Sequence, residues 1–246
     1  KNYLFKKNLK YVFRKSIWNK YHKLYIFYKK EDLDELKKLA MLLLLAIALP
    51  ALDGAALSFV SGEEGLPTIF DGKSLDGWEG DQKLWRVENG VLIGETTTSL
   101  EKTTYLIWRQ GTVDDFELTL SYRITGGNSG IQYRSQDLGG FRVTGYQADM
   151  ESGKNYSGIL YEQGGRGIVT KRGEKITLDA GGVKKQDSLI GTSQDLQSVI
   201  KSGEWNQYRI VARGNHLQHF INETLMSETT DNDESKQSFS GILAFQ

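Results

Sequence analysis

Residues 115–124, Asp115-Phe116-Glu117-Leu118-Thr119-Leu120-Ser121-Tyr122-Arg123-Ile124, alternate polar and apolar side chains without a break. Period two places successive side chains on opposite faces of an extended chain, so the stretch reads as a strand with one buried and one wet face. Shorter runs of the same kind lie at Trp85–Val87, Val91–Glu95, Tyr105–Trp108, Gly130–Arg134, Phe141–Asp149, Ser157–Tyr161, Lys175–Leu178, Trp205–Ala212, Leu217–Ile221 and Gly241–Phe245. Between them stand turn signals: Asn89-Gly90, Gly126-Gly127-Asn128, Gly139-Gly140, Gly164-Gly165, Gly181-Gly182 and Gly214-Asn215. Many short strands separated by such turns indicate a sandwich or barrel. One helix is expected over Ser193–Lys201, with Ser193 as N-cap and Leu196, Val199 and Ile200 as its apolar stripe. No fixed-period repeat is visible, which argues against a propeller. The reading is an all-β sandwich or barrel with one short helix over residues 66–246.

Composition narrows the function classes. The 27 glycines and two prolines among 246 residues suit a fold rich in tight turns. With no cysteine there is no disulfide framework, thiolate nucleophile or cysteine metal site. Net charge is zero but uneven: residues 1–40 hold 12 Lys/Arg and 4 Asp/Glu, leaving 19 basic and 27 acidic residues in the rest. The folded part is thus mildly acidic, which argues against nucleic acid as a partner.

The first 40 residues mix Lys/Arg with Tyr, Phe, Trp and Ile, as in Tyr11-Val12-Phe13-Arg14-Lys15. They read as a basic aromatic leader, helical and outside the domain. Lys37-Lys38 then precede the apolar run Met41-Leu42-Leu43-Leu44-Leu45-Ala46-Ile47-Ala48-Leu49, with small residues to Ala55-Ala56. That order of basic, apolar and small residues marks a signal peptide or membrane anchor over 41–56, with 57–65 as linker. The expected setting is export, periplasmic, outer-surface or extracellular, with membrane contact only through this segment.

Several polar residues on or beside strands have no obvious packing duty: Arg134, Gln147, Asp149, Glu162, Arg166 and His219. Gln147 and Asp149 share one parity, as do Gln132 and Arg134, while His219 has the parity of Leu217 and Ile221. Such residues on the concave side of a sandwich would make a sugar groove, with carboxylates accepting from hydroxyls and arginine donating. Each also has a plainer reading. His219 reads as a core histidine, Arg134 and Asp149 as a cross-strand ion pair, and Glu162 with Arg166 as a solvated loop. Trp78, Trp85, Trp108 and Trp205 offer stacking surfaces for sugars, but sandwich tryptophans are mostly core. Asp149 and Glu162 are the residue types for a divalent cation, without support from their spacing. Three histidines make a multi-histidine zinc site improbable.

Ordered segments carry a family resemblance. They are Ile69-Phe70-Asp71-Gly72-Lys73-Ser74-Leu75-Asp76-Gly77-Trp78, Trp85-Arg86-Val87-Glu88-Asn89-Gly90-Val91-Leu92-Ile93-Gly94, Asp115-Phe116-Glu117-Leu118 and Gly127-Asn128-Ser129-Gly130-Ile131-Gln132-Tyr133-Arg134. Further on come Gly145-Tyr146-Gln147-Ala148-Asp149, Gly158-Ile159-Leu160-Tyr161-Glu162, Gly164-Gly165-Arg166-Gly167, Glu204-Trp205-Asn206 and His219-Phe220-Ile221-Asn222. In this order they resemble the 3-keto-disaccharide hydrolase domain family, a lectin/glucanase-like (concanavalin A-like) jelly roll of exported bacterial proteins, and the resemblance implies a two-sheet antiparallel β-sandwich. Two departures stand out. The family has Gly where this chain has Glu223, and it continues past Gln246 with a last strand, so that strand is expected to be lacking.

The resemblance implies a sugar already oxidised at C3. The ketone acidifies the C2 proton, so a base forms an enediolate, the C1 substituent leaves by elimination, and water addition completes a net hydrolysis. The roles implied are His219 or Asp149 as base, Arg134 as oxyanion stabiliser and Glu162 as leaving-group acid. Gln132, Gln147, Arg166, Asn128 and Tyr161 are the expected substrate contacts. The alternative is a non-catalytic carbohydrate-binding module, which needs only stacking and hydroxyl partners.

Overall fold

The structure, a computed structural model, describes residues 2–13, 68–96 and 100–246. The signal-like segment and linker lie outside these residues. No helix among the described residues is long and apolar enough to cross a membrane.

Two sheets face one another. Their strands, in chain order, are β1 (Asn2–Phe13), β2 (Trp78–Glu79), β3 (Trp85–Glu88), β4 (Val91–Glu95), β5 (Leu106–Trp108), β6 (Phe116–Ile124), β7 (Asn128–Gly139), β8 (Arg142–Glu151), β9 (Leu160–Gln163), β10 (Gly167–Thr170), β11 (Glu174–Leu178), β12 (Lys184–Leu189), β13 (Asn206–Arg213), β14 (His216–Ile221), β15 (Thr224–Asp231) and β16 (Ile242–Phe245). The larger sheet runs β12-β11-β15-β14-β13-β6-β1-β4-β3, and the smaller β10-β9-β8-β7-β16-β5-β2. Strand β6 alternates buried and half-exposed residues along its whole length, and its buried Phe116, Leu118, Leu120, Tyr122 and Ile124 enter the main core. From the smaller sheet, Ile131, Tyr133, Tyr146, Ala148, Met150, Leu160 and Phe245 meet them. Trp78, Trp85 and Trp108 are core residues; Trp78 stacks on Phe245 at 5.1 Å and its Nε1 donates to the Ile69 carbonyl at 2.8 Å.

Three expectations need correction. The pairing is not purely antiparallel, because β11 and β15 run parallel; the chain leaves β11, builds β12 to β14 and returns beside it. The leader is not helical over Asn2–Phe13. Those residues form β1, paired antiparallel with both β4 and β6, so this stretch belongs to the sheet. Aromatic and β-branched residues such as Tyr3, Phe5, Tyr11, Val12 and Phe13 have high strand propensity, and a central position pairs both backbone edges. The helix, α1 (Ser193–Ser198), is capped by Thr192 and not Ser193: the Thr192 hydroxyl accepts from the Asp195 amide at 3.1 Å. Leu196 is buried, and Val199 and Ile200 pack against the core as expected.

One distortion shapes the smaller sheet. Register shifts between Tyr133 and Gln136, where Arg134 adopts φ +49° opposite Gly145 at φ +132°. A side chain at Gly145 would meet the Ser135 Cα at 2.8 Å, so only glycine allows this crossing. Beyond the bulge the β7–β8 hairpin turns back over the outward face of its own sheet. The Phe141 carbonyl accepts from the Tyr105 amide at 2.9 Å, although Tyr105 precedes β5 at the level of the opposite end of β7. Val143 thereby joins Tyr105, Ile107 and Ala244 in a second small core.

Candidate functional site

Strand pairing separates the expected site residues onto two faces. Cross-strand partners run Ala244, Gln132, Gln147 and Tyr161 across β16, β7, β8 and β9. A second row one step along runs Gly130 opposite Asp149. These side chains lie on the outward face of the smaller sheet, because their neighbours Ile131, Ala148 and Leu160 occupy the main core. Glu162, opposite Tyr146, has the other parity. His219, Arg134, Glu162 and Arg166 therefore do not converge with Asp149.

His219 is a core histidine. It is 1% exposed, with Nδ1 3.1 Å from the Ile159 carbonyl and Nε2 3.0 Å from the Tyr133 hydroxyl. The carbonyl accepts only, so Nδ1 carries the hydrogen and Nε2 accepts from Tyr133. Both ring nitrogens are spent in this neutral tautomer. Burial pushes the imidazole down to about 4, against a small opposing effect of the bond to Ile159. A base role needs a free lone pair facing substrate, and His219 has none.

Arg134 is likewise structural. Its Nε donates to the Asp114 carbonyl at 2.8 Å, Nη1 to the Gly214 carbonyl at 2.5 Å and the Ser238 carbonyl at 3.3 Å, and Nη2 to Asp115 at 3.1 Å. The guanidinium ties the bulge to the start of β6 and the β13–β14 turn, not to a substrate oxygen. Nor does it pair with Asp149.

Glu162 and Arg166 form a buried cluster, not a solvated loop. Arg166 binds Glu162, donates to Asp231 through Nη1 at 3.1 Å and Nη2 at 2.6 Å, and reaches Asp233 at 3.2 Å. The Tyr146 hydroxyl adds a 2.5 Å bond to Asp231. With its carboxylate held by Arg166, Glu162 is placed to anchor the β9–β10 turn to the end of β15. The pair Asp149 and Glu162 lies on opposite faces, too divided to hold one cation, and the described residues contain no group of three or more metal-ligating side chains.

The outward face carries a directed chain of donors that ends on Asp149. Ser135 donates to Gln132 Oε1 at 2.7 Å, and Gln132 Nε2 donates to Gln147 Oε1 at 2.6 Å. Gln147 Nε2 then donates to Asp149 Oδ1 at 2.5 Å and to Gln246 Oε1 at 2.7 Å. Asn128 Nδ2 supplies Asp149 Oδ2 at 3.0 Å. Two amide donors would lower the carboxyl's affinity for protons, yet burial outweighs them and pushes Asp149 up to about 6. The neighbouring Glu151 adds to the rise. Glu151 itself is committed to the backbone amides of Asn155 and Tyr156.

Glycine makes this chain possible. A Cβ on Gly130 would lie 2.5 Å from Gln147 Cδ and Cγ, so the Gln147 side chain rests directly on the Gly130 backbone. Two members of the site escape a reading of the sequence. Gln246 joins as an acceptor from Gln147, and Tyr105 is 1% exposed, its buried hydroxyl set against the Gln132 amide with no acceptor for its own hydrogen. Parity gives the signal for Tyr105, since it is in step with Ile107 and out of step with core Leu106 and Trp108.

A buried carboxyl, 5% exposed, pushed up to about 6 and fixed by amides on a sheet face, is equipped to exchange a proton with a bound polar molecule. Comparison with known proteins gives the chain a family. Residues 65–246 match the model of the 3-keto-alpha-glucoside-1,2-lyase-like domain. Two similar solved structures come from Parabacteroides distasonis, each described as a "putative glycosyl hydrolase". The first is 22% identical, covering 76% of this chain and 91% of that one with a TM-score of 0.49; the second is 17% identical, covering 71% and 87% with a TM-score of 0.43. The carbohydrate binding module CBM66 of Bacillus subtilis is 12% identical, covering 69% and 86%, with a TM-score of 0.43. No curated protein matches the sequence. On the match over residues 65–246, the chain belongs to the 3-keto-alpha-glucoside-1,2-lyase-like domain family.

Proposed function

We propose that the outward face of the smaller sheet binds a 3-keto-glucoside and that Asp149 is the base that starts its cleavage. The observation that carries this reading is the Asp149 carboxyl, held by Gln147 and Asn128 and raised by burial to about 6. Such a group is ionised at neutral pH and still basic enough to take the C2 proton acidified by the adjacent ketone. The C2–H pair becomes an enolate with its charge on the C3 oxygen. That charge returns to form the C1–C2 double bond as the C1–O pair departs with the aglycone. The aglycone takes the proton from the Asp149 carboxylic acid, which restores the carboxylate. Water addition across the new double bond gives net hydrolysis. Half-buried Asn128 and Tyr161 offer amide and phenol partners to sugar hydroxyls, while buried Gln132 and Gln147 hold the carboxyl in place behind them. The roles first attached to His219, Arg134 and Glu162 are not part of this proposal.

The bulged hairpin over the sheet supports a curved, jelly-roll-type groove, and the Lys37-Lys38 and Met41–Leu49 pattern supports an exported setting. The test is incubation of the protein with a 3-keto-glucoside and with the same glucoside unoxidised. Release of aglycone from the oxidised sugar alone is expected. Binding of both without release would favour a carbohydrate-binding module.

A further inference from the structure

Tyr105 is the buried polar side chain on the outward face that the base mechanism leaves unused. Its ring sits among Ile107, Val143 and Ala244, and Ala244 of β16 is small enough for it to lean across toward β7. There the Gln132 amide acts on the phenol oxygen as a donor, Asp149 and Tyr161 of β9 disfavour its ionisation, and the hydroxyl's own hydrogen has no acceptor. Strands β5 and β9 are separated by β16, β7 and β8, roughly 19 Å of sheet at the usual strand spacing.

An unmade hydrogen bond on a buried hydroxyl is costly, and folded proteins rarely leave one without reason. The acceptors of this face are turned to other donors: Gln132 Oε1 takes Ser135, Gln147 Oε1 takes Gln132, and the two Asp149 oxygens take the amides of Gln147 and Asn128. A donor held beside the base with no acceptor in the fold is a donor kept for a ligand. Burial raises the phenol's affinity for its proton, so it donates without ionising.

We infer that the Tyr105 hydroxyl donates a hydrogen bond to the C3 carbonyl oxygen of the substrate and stabilises the enolate that Asp149 creates. This rests on the 3-keto-glucoside reading of the site. No proton passes from Tyr105; its O–H bond polarises as charge gathers on the C3 oxygen and relaxes when the C1–O bond breaks. Because the charge develops in the transition state, the contribution falls on kcat more than on KM.

Tyr105→Phe tests this by steady-state cleavage of a 3-keto-glucoside and by thermal melting of the free protein. Expected are a kcat lower by about 10²–10³-fold, typical for loss of an oxyanion donor, a KM changed only a few-fold, and a melting temperature at least equal to wild type. Wild-type cleavage matched by equal kcat in Tyr105→Phe would overturn the role of Tyr105 and leave the reading of the site standing. A lower melting temperature in the variant would show that the hydroxyl has its partner within the fold, and would overturn it too. No cleavage by the wild type would overturn the reading of the site and this inference with it.

Discussion

Two ionisable residues that look alike in the sequence part company in the structure. His219 and Asp149 both sit on strands amid apolar neighbours, but His219 spends both ring nitrogens inside the core while Asp149 faces outward. His219→Ala leaves the Tyr133 hydroxyl and the Ile159 carbonyl without that partner and opens a cavity; equilibrium denaturation should show a loss of about 3 kcal/mol. The molecules that remain folded should keep their kcat. The pH dependence has a definite sign. The folded His219 pKa of about 4 lies below the unfolded 6.5, so the unfolded chain binds the extra proton between these values. Its contribution is full above about pH 6.5 and is lost as pH falls toward 4. Asp149 works the opposite way: its folded value of about 6 exceeds the unfolded 3.8, so its ionised form burdens the fold above pH 6. Asp149→Asn should therefore be more stable than wild type at pH 8, by up to about 3 kcal/mol, with the advantage vanishing by pH 4. Urea melts at the two pH values check this. Parity in the sequence grouped Gln147 with Asp149, and that is how they lie, while strand pairing adds Gln132 to the same face; parity also set His219 inward, which is the mark of a core residue. Arg134 misled because a bulge, invisible to period-two counting, turns it out of step with Gln132.

At the level of elements, the β14–β15 turn and the bent β7–β8 hairpin each hinge on one or two backbone positions. Asn222 and Glu223 have φ of 49° and 62°, the pair required by a two-residue turn that matches strand twist. Asn tolerates this conformation and Glu does not, though Arg209 lies 3.4 Å from the Glu223 carboxylate. Glu223→Gly should raise stability by about 0.5–1 kcal/mol in a denaturant titration. Gly130→Ala should act in the other direction, because its methyl displaces Gln147. We expect a loss of about 1–3 kcal/mol, as for an overpacked site, and at least about a tenfold fall in kcat as Asp149 loses its orienting amide. Denaturant midpoints and kinetics on the folded protein separate the two effects. Strands with one wet face were legible from the sequence. Strand β12 was not, because all six of its residues are exposed and no alternation exists to read. Strand β15 was missed for the opposite reason: Ser227, Glu228, Thr229 and Asp231 are polar yet buried, the first donating to the Gly158 carbonyl and the others paired to side chains from other strands.

For the whole molecule, the sandwich divides its polar residues by duty. Arg134, His219 and the Glu162–Arg166–Asp231 cluster lock the two sheets and their turns together from within, while the amide chain on the outward face holds Asp149 for chemistry. Strand periodicity alone narrowed the architecture to a sandwich or a barrel, and the family resemblance chose the two-sheet form. That β1 enters the larger sheet followed from neither, since its lysines mask the aromatic alternation of a strand paired on both edges. The division of faces leads to one direct measurement: the pH profile of kcat/KM for aglycone release from a 3-keto-glucoside by wild type, Asp149→Asn and His219→Gln. The account predicts activity rising to a plateau with an apparent pKa near 6, the same profile in His219→Gln and no measurable release by Asp149→Asn. Full activity in Asp149→Asn, or loss of the rise only when His219 is replaced, would contradict it.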